Sequence, residues 1–342
     1  MNICAPHIAT ILALTFSGPA AAETYCVDTP AELQTAIDLS ESNAEQDEIR
    51  IATGTYARSP RFLFQSTQSN RVTFRGGYSA NCALSNQGNS TIDGEFQRIG
   101  LQIQNLAGDT VVENLTFSRG YSFGNEGGGL HVQSTTGDIR IDRNTFFANQ
   151  AQTYGGALNA WTQEGTLLVR NNLALGNSAE EIGGFLLNVT SGEGLVVGNT
   201  ITANSSVSGF RVGGLAIVGN GIFIVSNNII WGNLPNDPEA LDSDFLGTAL
   251  HDRYANDIGV VSKLSNAVTV VGELSVDPQF ASCGFFCVAR ELERSSPLVD
   301  AGEDSPIGGM TTIDLAGKPR VIGSLVDIGA YENDLIFTDG FD

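Results

Sequence analysis

The stretch NTFFANQAQTYGGALNAWTQEGTLLVRNNLALGN, residues 144–177, decides the fold. Asn144 and Asn149 are followed by Gly155-Gly156, an apolar strand and a second asparagine pair, Asn172 and Asn177. The phrase recurs as Gly183-Gly184 with Asn199 and Asn204, then as Gly213-Gly214 with Asn228 and Asn233. Upstream, Gly128-Gly129 opens the copy that closes on Asn144 and Asn149. The first asparagines are 28, 27 and 29 residues apart, and a weaker copy sits at Asn114, 30 residues before Asn144.

Aligned on the first asparagine, Ile141, Val169, Val196 and Val225 occupy one position, where a β-branched residue suits an inward-pointing strand. Small residues, Ala148, Gly176, Ala203 and Gly232, recur where the backbone must turn tightly. The period inside each unit is that of strands, not helices. A unit of this length with Gly-rich corners fits one coil of a parallel β-helix, an all-β solenoid. Equivalent residues then stack at about 4.8 Å from coil to coil. A corner asparagine buried in such a stack can hydrogen-bond the next, forming a ladder, whereas stacked carboxylates would repel. All eight paired asparagines are therefore read as structural.

Residues 1–22 read as a secretory leader, with the apolar run Ile8 to Phe16 and Ala20-Ala21-Ala22 before Glu23. Localisation is expected to be secreted or at the outer surface of a bacterium. No segment is long enough for a transmembrane helix. The net charge of −21 argues against nucleic acid as a partner. It admits Ca²⁺ held by clustered carboxylates, and no other cofactor is indicated. Cys26, Cys82, Cys283 and Cys287 remain after the leader. An even count in an exported chain suggests disulfides, and of three connectivities Cys26–Cys82 with Cys283–Cys287 is favoured.

Residues 23–104 are expected to hold an N-terminal cap and the first coils. Thr29-Pro30-Ala31-Glu32 is a capping box, and Leu33, Ala36 and Ile37 share one face, so a short helix closes the open end of the stack. Residues 105–233 are the regular coils. Residues 234–257, with Pro235, Pro238 and six acidic residues, are expected as a loop insertion. Residues 258–332 are expected to resume the coils and close them, and 333–342 form an acidic tail.

Gly155-Gly156-Ala157-Leu158 and Phe146-Phe147-Ala148-Asn149 resemble the repeats of bacterial polymorphic outer-membrane proteins. Asn228 to Asn233, Asp277-Pro278-Gln279-Phe280, Ser296 to Gly302 and the closing Asp327-Ile328-Gly329-Ala330-Tyr331-Glu332 resemble the choice-of-anchor Q family of β-helix surface proteins. The resemblance covers roughly residues 105–332. It implies an exported right-handed parallel β-helix without a demonstrated activity.

Catalysis finds little support in these residues. Hydrolysis of a polysaccharide needs converging carboxylates, yet the positions two after the first asparagines are Phe146, Ala174, Ile201 and Ile230, and no acid lies between Gly194 and Asn236. A lyase needs a base and a neutraliser of the substrate carboxylate. His131, Arg143, Arg170, Arg211 and above all His251, Arg253 and Tyr254 on the expected insertion are its candidates. Sugar stacking would use Tyr154, Trp161 and Trp231. Asp300, Asp304, Asp314 and Asp327 are the candidate Ca²⁺ ligands, or else cap turns and pair with Arg320. The expectation is a monomeric, non-catalytic protein in adhesion or glycan contact; the alternative is a polysaccharide lyase or hydrolase acting on acidic polymers.

Overall fold

A computed structural model describes residues 22–207, 212–235, 244–282, 288 and 290–333. The chain winds as a parallel β-helix whose strands form sheets of ten, eight, seven and five strands, each pairing with its equivalent one coil away. One coil illustrates the rest. Leu158–Thr162 belongs to the seven-stranded sheet, Leu167–Arg170 to the ten-stranded, Leu173–Leu175 to the eight-stranded and Ser178–Ala179 to the five-stranded.

The corners explain the repeat. Asn144, Asn172, Asn199 and Asn228 form one buried column between the ten- and eight-stranded sheets. The Oδ1 of Asn199 accepts the backbone N–H of Asn172 at 3.0 Å and its Nδ2 at 2.9 Å, while its own Nδ2 donates to Asn228 at 2.8 Å. Asn149, Asn177, Asn204 and Asn233 build a second column in the same way. Each rung satisfies backbone groups that the corner strips from the sheets.

Both columns run one rung further than expected. Asn256 accepts from Asn228, and Asp244 accepts the backbone N–H and Nδ2 of Asn233, both at 2.9 Å. A carboxylate serves at Asp244 because the last rung has only to accept. Burial pushes its carboxyl above the usual range. Asn114, by contrast, is not a rung. Glu113 pairs with Asp142, so Asn114 lies beside Arg143 and the next residue, Leu115, donates its N–H to Asn144 at 3.0 Å.

Residues just before the rungs take the left-handed conformation: φ is 53° at Arg143, 56° at Asn171, 55° at Ala148 and 66° at Gly176. The Gly-Gly corners answer a different demand. A Cβ on Gly156 would lie 2.4 Å from the Gly183 and Ser178 carbonyl oxygens, so coils this close leave room only for hydrogen.

The interior is a continuous apolar stack including Val132, Ala160, Leu187 and Ile217 on one wall and Ile141, Val169, Val196 and Val225 on another. Phe146, Ala174, Ile201 and Ile230 point into it, so the positions examined for acids are core positions. The helix Pro30–Ser40, capped by Thr29 and Glu32, packs on the first strands and buries Leu33, Ala36 and Ile37. Cys26 and Cys82 are joined. Cys283, Cys287, Arg211, residues 1–21 and residues 334–342 lie outside the described residues.

Residues 234–257 are not a loop insertion throughout. Phe245–Gly247, Leu250–Tyr254 and Asp257–Ile258 are strands that extend the sheets by one more coil. After Ala267–Val271 the described chain crosses back over the outside of the solenoid as a strap. It covers the outer face of the eight-stranded sheet, where Leu298 and Ile328 pack on Ile229, and Ala330 and Tyr331 on Leu173 and Leu175. The Ala330 N–H donates to Thr200 Oγ1 at 2.9 Å. The closing motif thus secures a flank of several coils rather than sealing the last one.

Candidate functional site

Three outer faces of the solenoid carry three kinds of side chain. On the ten-stranded sheet they are charged and mutually paired over the first coils, and apolar at Leu168, Leu195, Val197 and Ile224 farther along. Glu113 takes Arg75 at 3.0 Å and Arg143 at 2.7 Å, and Asp142 takes Arg170 at 2.9 Å. Burial alone would push the Glu113 carboxyl up, but the guanidiniums of Arg143, Arg75 and Arg140 hold it below the usual range. Arg143 and Arg170, candidates for a lyase base or neutraliser, are therefore held in this network, one row apart.

The eight-stranded face carries an apolar patch of Leu173, Leu175 and Ile229 among threonines; the patch lies under the strap, and Trp231 is half-buried there against it. Arg320 fastens the strap. It is 2% exposed, pairs with Glu332 at 3.2 Å and donates to the carbonyls of Asp327 and Gly329. Desolvation outweighs the ion pair at Glu332 and pushes its carboxyl up to about 7. The four candidate metal ligands hold the strap's turns. Asp314 accepts backbone N–H groups of Lys318 and Glu332, Asp327 those of Asp300 and Asn333, Asp300 that of Ser324, and Asp304 that of Val326. Among the described residues, no group of three or more His, Cys, Asp or Glu side chains is placed to hold a metal ion.

The seven-stranded face is different again, amide-rich over its first coils, apolar at Leu186, Val218 and Leu246 farther along, and clear of packing contacts with the described strap residues. Strand register lines up Gln65, Gln104, Gln133, Trp161 and Asn188 in one outward column. The Nε2 of Gln65 donates to Gln104 at 2.6 Å. Leu63, Gln102, His131 and Asn159 form the neighbouring column. The loop after Tyr121 folds over it, and Asn159 donates to the Asn125 carbonyl at 2.6 Å. Beneath that loop the Nδ1 of His131 and the Oε1 of Gln102 are buried without a hydrogen-bond partner. Burial pushes the His131 imidazole below its usual range; Glu126 opposes the shift and Arg61 adds to it. His131 is thus a neutral polar group.

At the N-terminal end of this face opens a cleft of about 880 Å³. Its walls are the capping helix, through Asp38 and Glu41; the turn bearing Arg58 and Arg61; and the loop bearing Tyr121 and Phe123. Gln65, the first member of the amide column, stands on its rim. Trp161 lies three rungs along, roughly 14 Å from Gln65. Phe123 is 73% exposed, the most of any large apolar side chain among the described residues, and meets Tyr121 edge to face at 4.6 Å.

The sequence candidates are scattered by the fold. His251 and Arg253 sit on a strand and point inward, in register with Phe223 and Val225. His251 is fully buried, its Nδ1 donating to the Ala249 carbonyl at 2.9 Å, and Arg253 pairs with Glu273 at 3.2 Å over the Phe245 ring. They plug the last coil's interior, and only Tyr254 of that cluster faces outward, half-buried. Tyr154 is at a corner, Trp161 on the seven-stranded face and Trp231 under the strap, so the three aromatics share no surface. Arg58, Arg61 and Phe123 went unread because separate segments bring them together. Asn256 had a signal, its 28-residue spacing from Asn228.

No family model matches the chain, and no curated protein matches it. Among solved structures, the crystal structure of the pectate lyase Pel9A is similar over 92% of this chain and 97% of that one, at 12% identity and a TM-score of 0.39. Among the described residues, no helix is long and apolar enough to cross a membrane.

Proposed function

We propose that this chain is an exported β-helix protein that contacts glycans without turning them over. The observation that carries the reading is the seven-stranded face. Amide side chains of Gln104, Gln133 and Asn188 flank the partly exposed Trp161 on a flat parallel sheet, continuous with a cleft that exposes Phe123. Amides match sugar hydroxyls as donors and acceptors, and an aromatic ring presents a flat apolar surface to a sugar ring. A rigid stack meets these contacts already ordered, which lowers the entropy lost on binding.

The test is incubation of the purified chain with a panel of neutral and uronic-acid polysaccharides. Binding without new reducing ends or ultraviolet-absorbing unsaturated products is expected. Turnover would replace this reading with the lyase or hydrolase alternative, and absence of binding across the panel would end it. Export is tested separately by N-terminal sequencing of protein recovered outside the cell, with Glu23 expected first.

A further inference from the structure

The cleft contains an anomaly of charge. Arg50, Arg75, Arg98, Arg119, Arg140, Arg143, Arg170, Arg253 and Arg320 each pair with a carboxylate. Among the described residues Arg58 and Arg61 have no carboxylate partner, and Arg71 reaches only Gln46, although the chain carries 38 acidic residues against 17 basic ones. The one side-chain hydrogen bond placed between them runs from Arg58 Nη1 to the Arg61 carbonyl at 3.0 Å. Both residues line the cleft together with the exposed Phe123 and its neighbour Tyr121. Three acids share the cavity, and their hydrogen bonds come from neutral donors rather than from either arginine. Asp38 accepts from Gln34 at 2.6 Å, Glu41 from the Gln65 N–H at 2.8 Å and Glu126 from Ser122 at 3.3 Å.

We propose that this cleft is a subsite for a carboxylate-bearing sugar. Arg58 and Arg61 take the carboxylate, and Phe123 and Tyr121 take the ring. The inference rests on the glycan-contact reading and narrows it to a substrate class. A guanidinium fork matches a carboxylate in shape as well as charge, and an arginine without a carboxylate partner in the protein has donors left for that contact. The ring platform beside it supplies apolar contact for the sugar face. Along the adjoining sheet the amide column continues towards Trp161, so a chain anchored by its acid group in the cleft would lie across neutral hydrogen-bonding side chains.

The experiment is calorimetric titration of the full chain with an oligogalacturonate, with the same oligomer methyl-esterified, and with a sulfated oligosaccharide of similar length. The acid is expected to bind at least about tenfold tighter than its ester, which has the same ring and no charge. Its affinity should fall as salt screens the contact. Replacing both arginines, Arg58→Gln with Arg61→Gln, should abolish the preference while the ester's residual affinity stays. Lysine at both positions should restore part of the preference by keeping the charge without the fork. Equal binding of acid and ester by the unaltered chain overturns the subsite even if no variant folds. So does a glutamine double variant that retains the preference, or a sulfated oligosaccharide that binds as well as the uronate. If instead none of the three probes and no neutral glycan binds, the glycan-contact reading itself has failed.

Discussion

The eight-stranded and seven-stranded faces are outer surfaces of the same coils, yet one is covered and the other is open. The first presents Leu173, Leu175, Ile229 and Trp231, and the chain's own strap packs over them. The second presents Gln104, Gln133, Trp161 and Asn188, and no strap residue packs in its apolar contacts. Apolar side chains on the outside of a sheet are stabilised by removal from water, at about 25 cal/mol per Å². Amides gain nothing comparable from burial unless each polar atom finds a partner. The apolar patch of Leu173, Leu175, Ile229 and Trp231 is therefore favoured under cover and the amide column in water, and the two tryptophans report on the two outcomes.

The largest effect is expected where both faces hang on the same support. Asn199→Leu removes a rung: the buried Asn172 N–H loses its acceptor, the Asn172 Nδ2 and the Asn228 Oδ1 each lose a bond, and the Val169 and Val197 carbonyls lose the Asn199 Nδ2. Urea denaturation should show a loss of about 4–5 kcal/mol, with both tryptophan environments changing together. An unaltered midpoint would break the ladder account. Arg320→Ala acts on the covered face alone. It strands Glu332 in an apolar setting, and a loss of about 3–4 kcal/mol is expected. Limited proteolysis should then release the strap while the coils survive; simultaneous digestion of both would mean that the strap is no separate element.

A smaller effect is set by pH. The folded-state carboxyl of Glu332 titrates at about 7, above its ordinary 4.5, because burial disfavours the charge. Its neutral form is favoured in the folded chain, so the associated stability is full below about 4.5 and is lost as pH rises through 7. Up to about 3 kcal/mol is at stake. The buried His131 and His251 act in the opposite sense, being pushed down, and cost stability as pH falls below 6.5. The observable is thus the difference between the chain and Glu332→Gln across pH 4.5 to 8, expected to be sloped; parallel curves would contradict the assignment. Smallest is Trp161→Ala, which should leave stability within about 0.5 kcal/mol, because the open face supports nothing above it. A large loss of melting temperature would give Trp161 a structural part.

The coils were legible in the sequence because stacking in register makes the same demand every 27 to 29 residues, and asparagine and glycine answer it. The error at Asn114 has a physical source: the left-handed corner residue also favours asparagine, as Asn171 and Asn227 show. Two asparagine preferences one residue apart blur the count. His251 was misplaced because prolines and acids around residues 235–244 hide a coil whose rung, Asn256, keeps the period. The strap and the cleft were illegible for another reason. Arg320, Arg58 and Phe123 meet their neighbours across irregular segments, and no period records such contacts.

Fluorescence of the two single-tryptophan variants during titration with a binding glycan tests the division between faces most directly. With Trp231→Phe, the remaining Trp161 should shift or quench in proportion to occupancy, and with Trp161→Phe the signal from Trp231 should stay flat. A response from Trp231, with Trp161 silent, would place the contact on the strapped face and contradict the account.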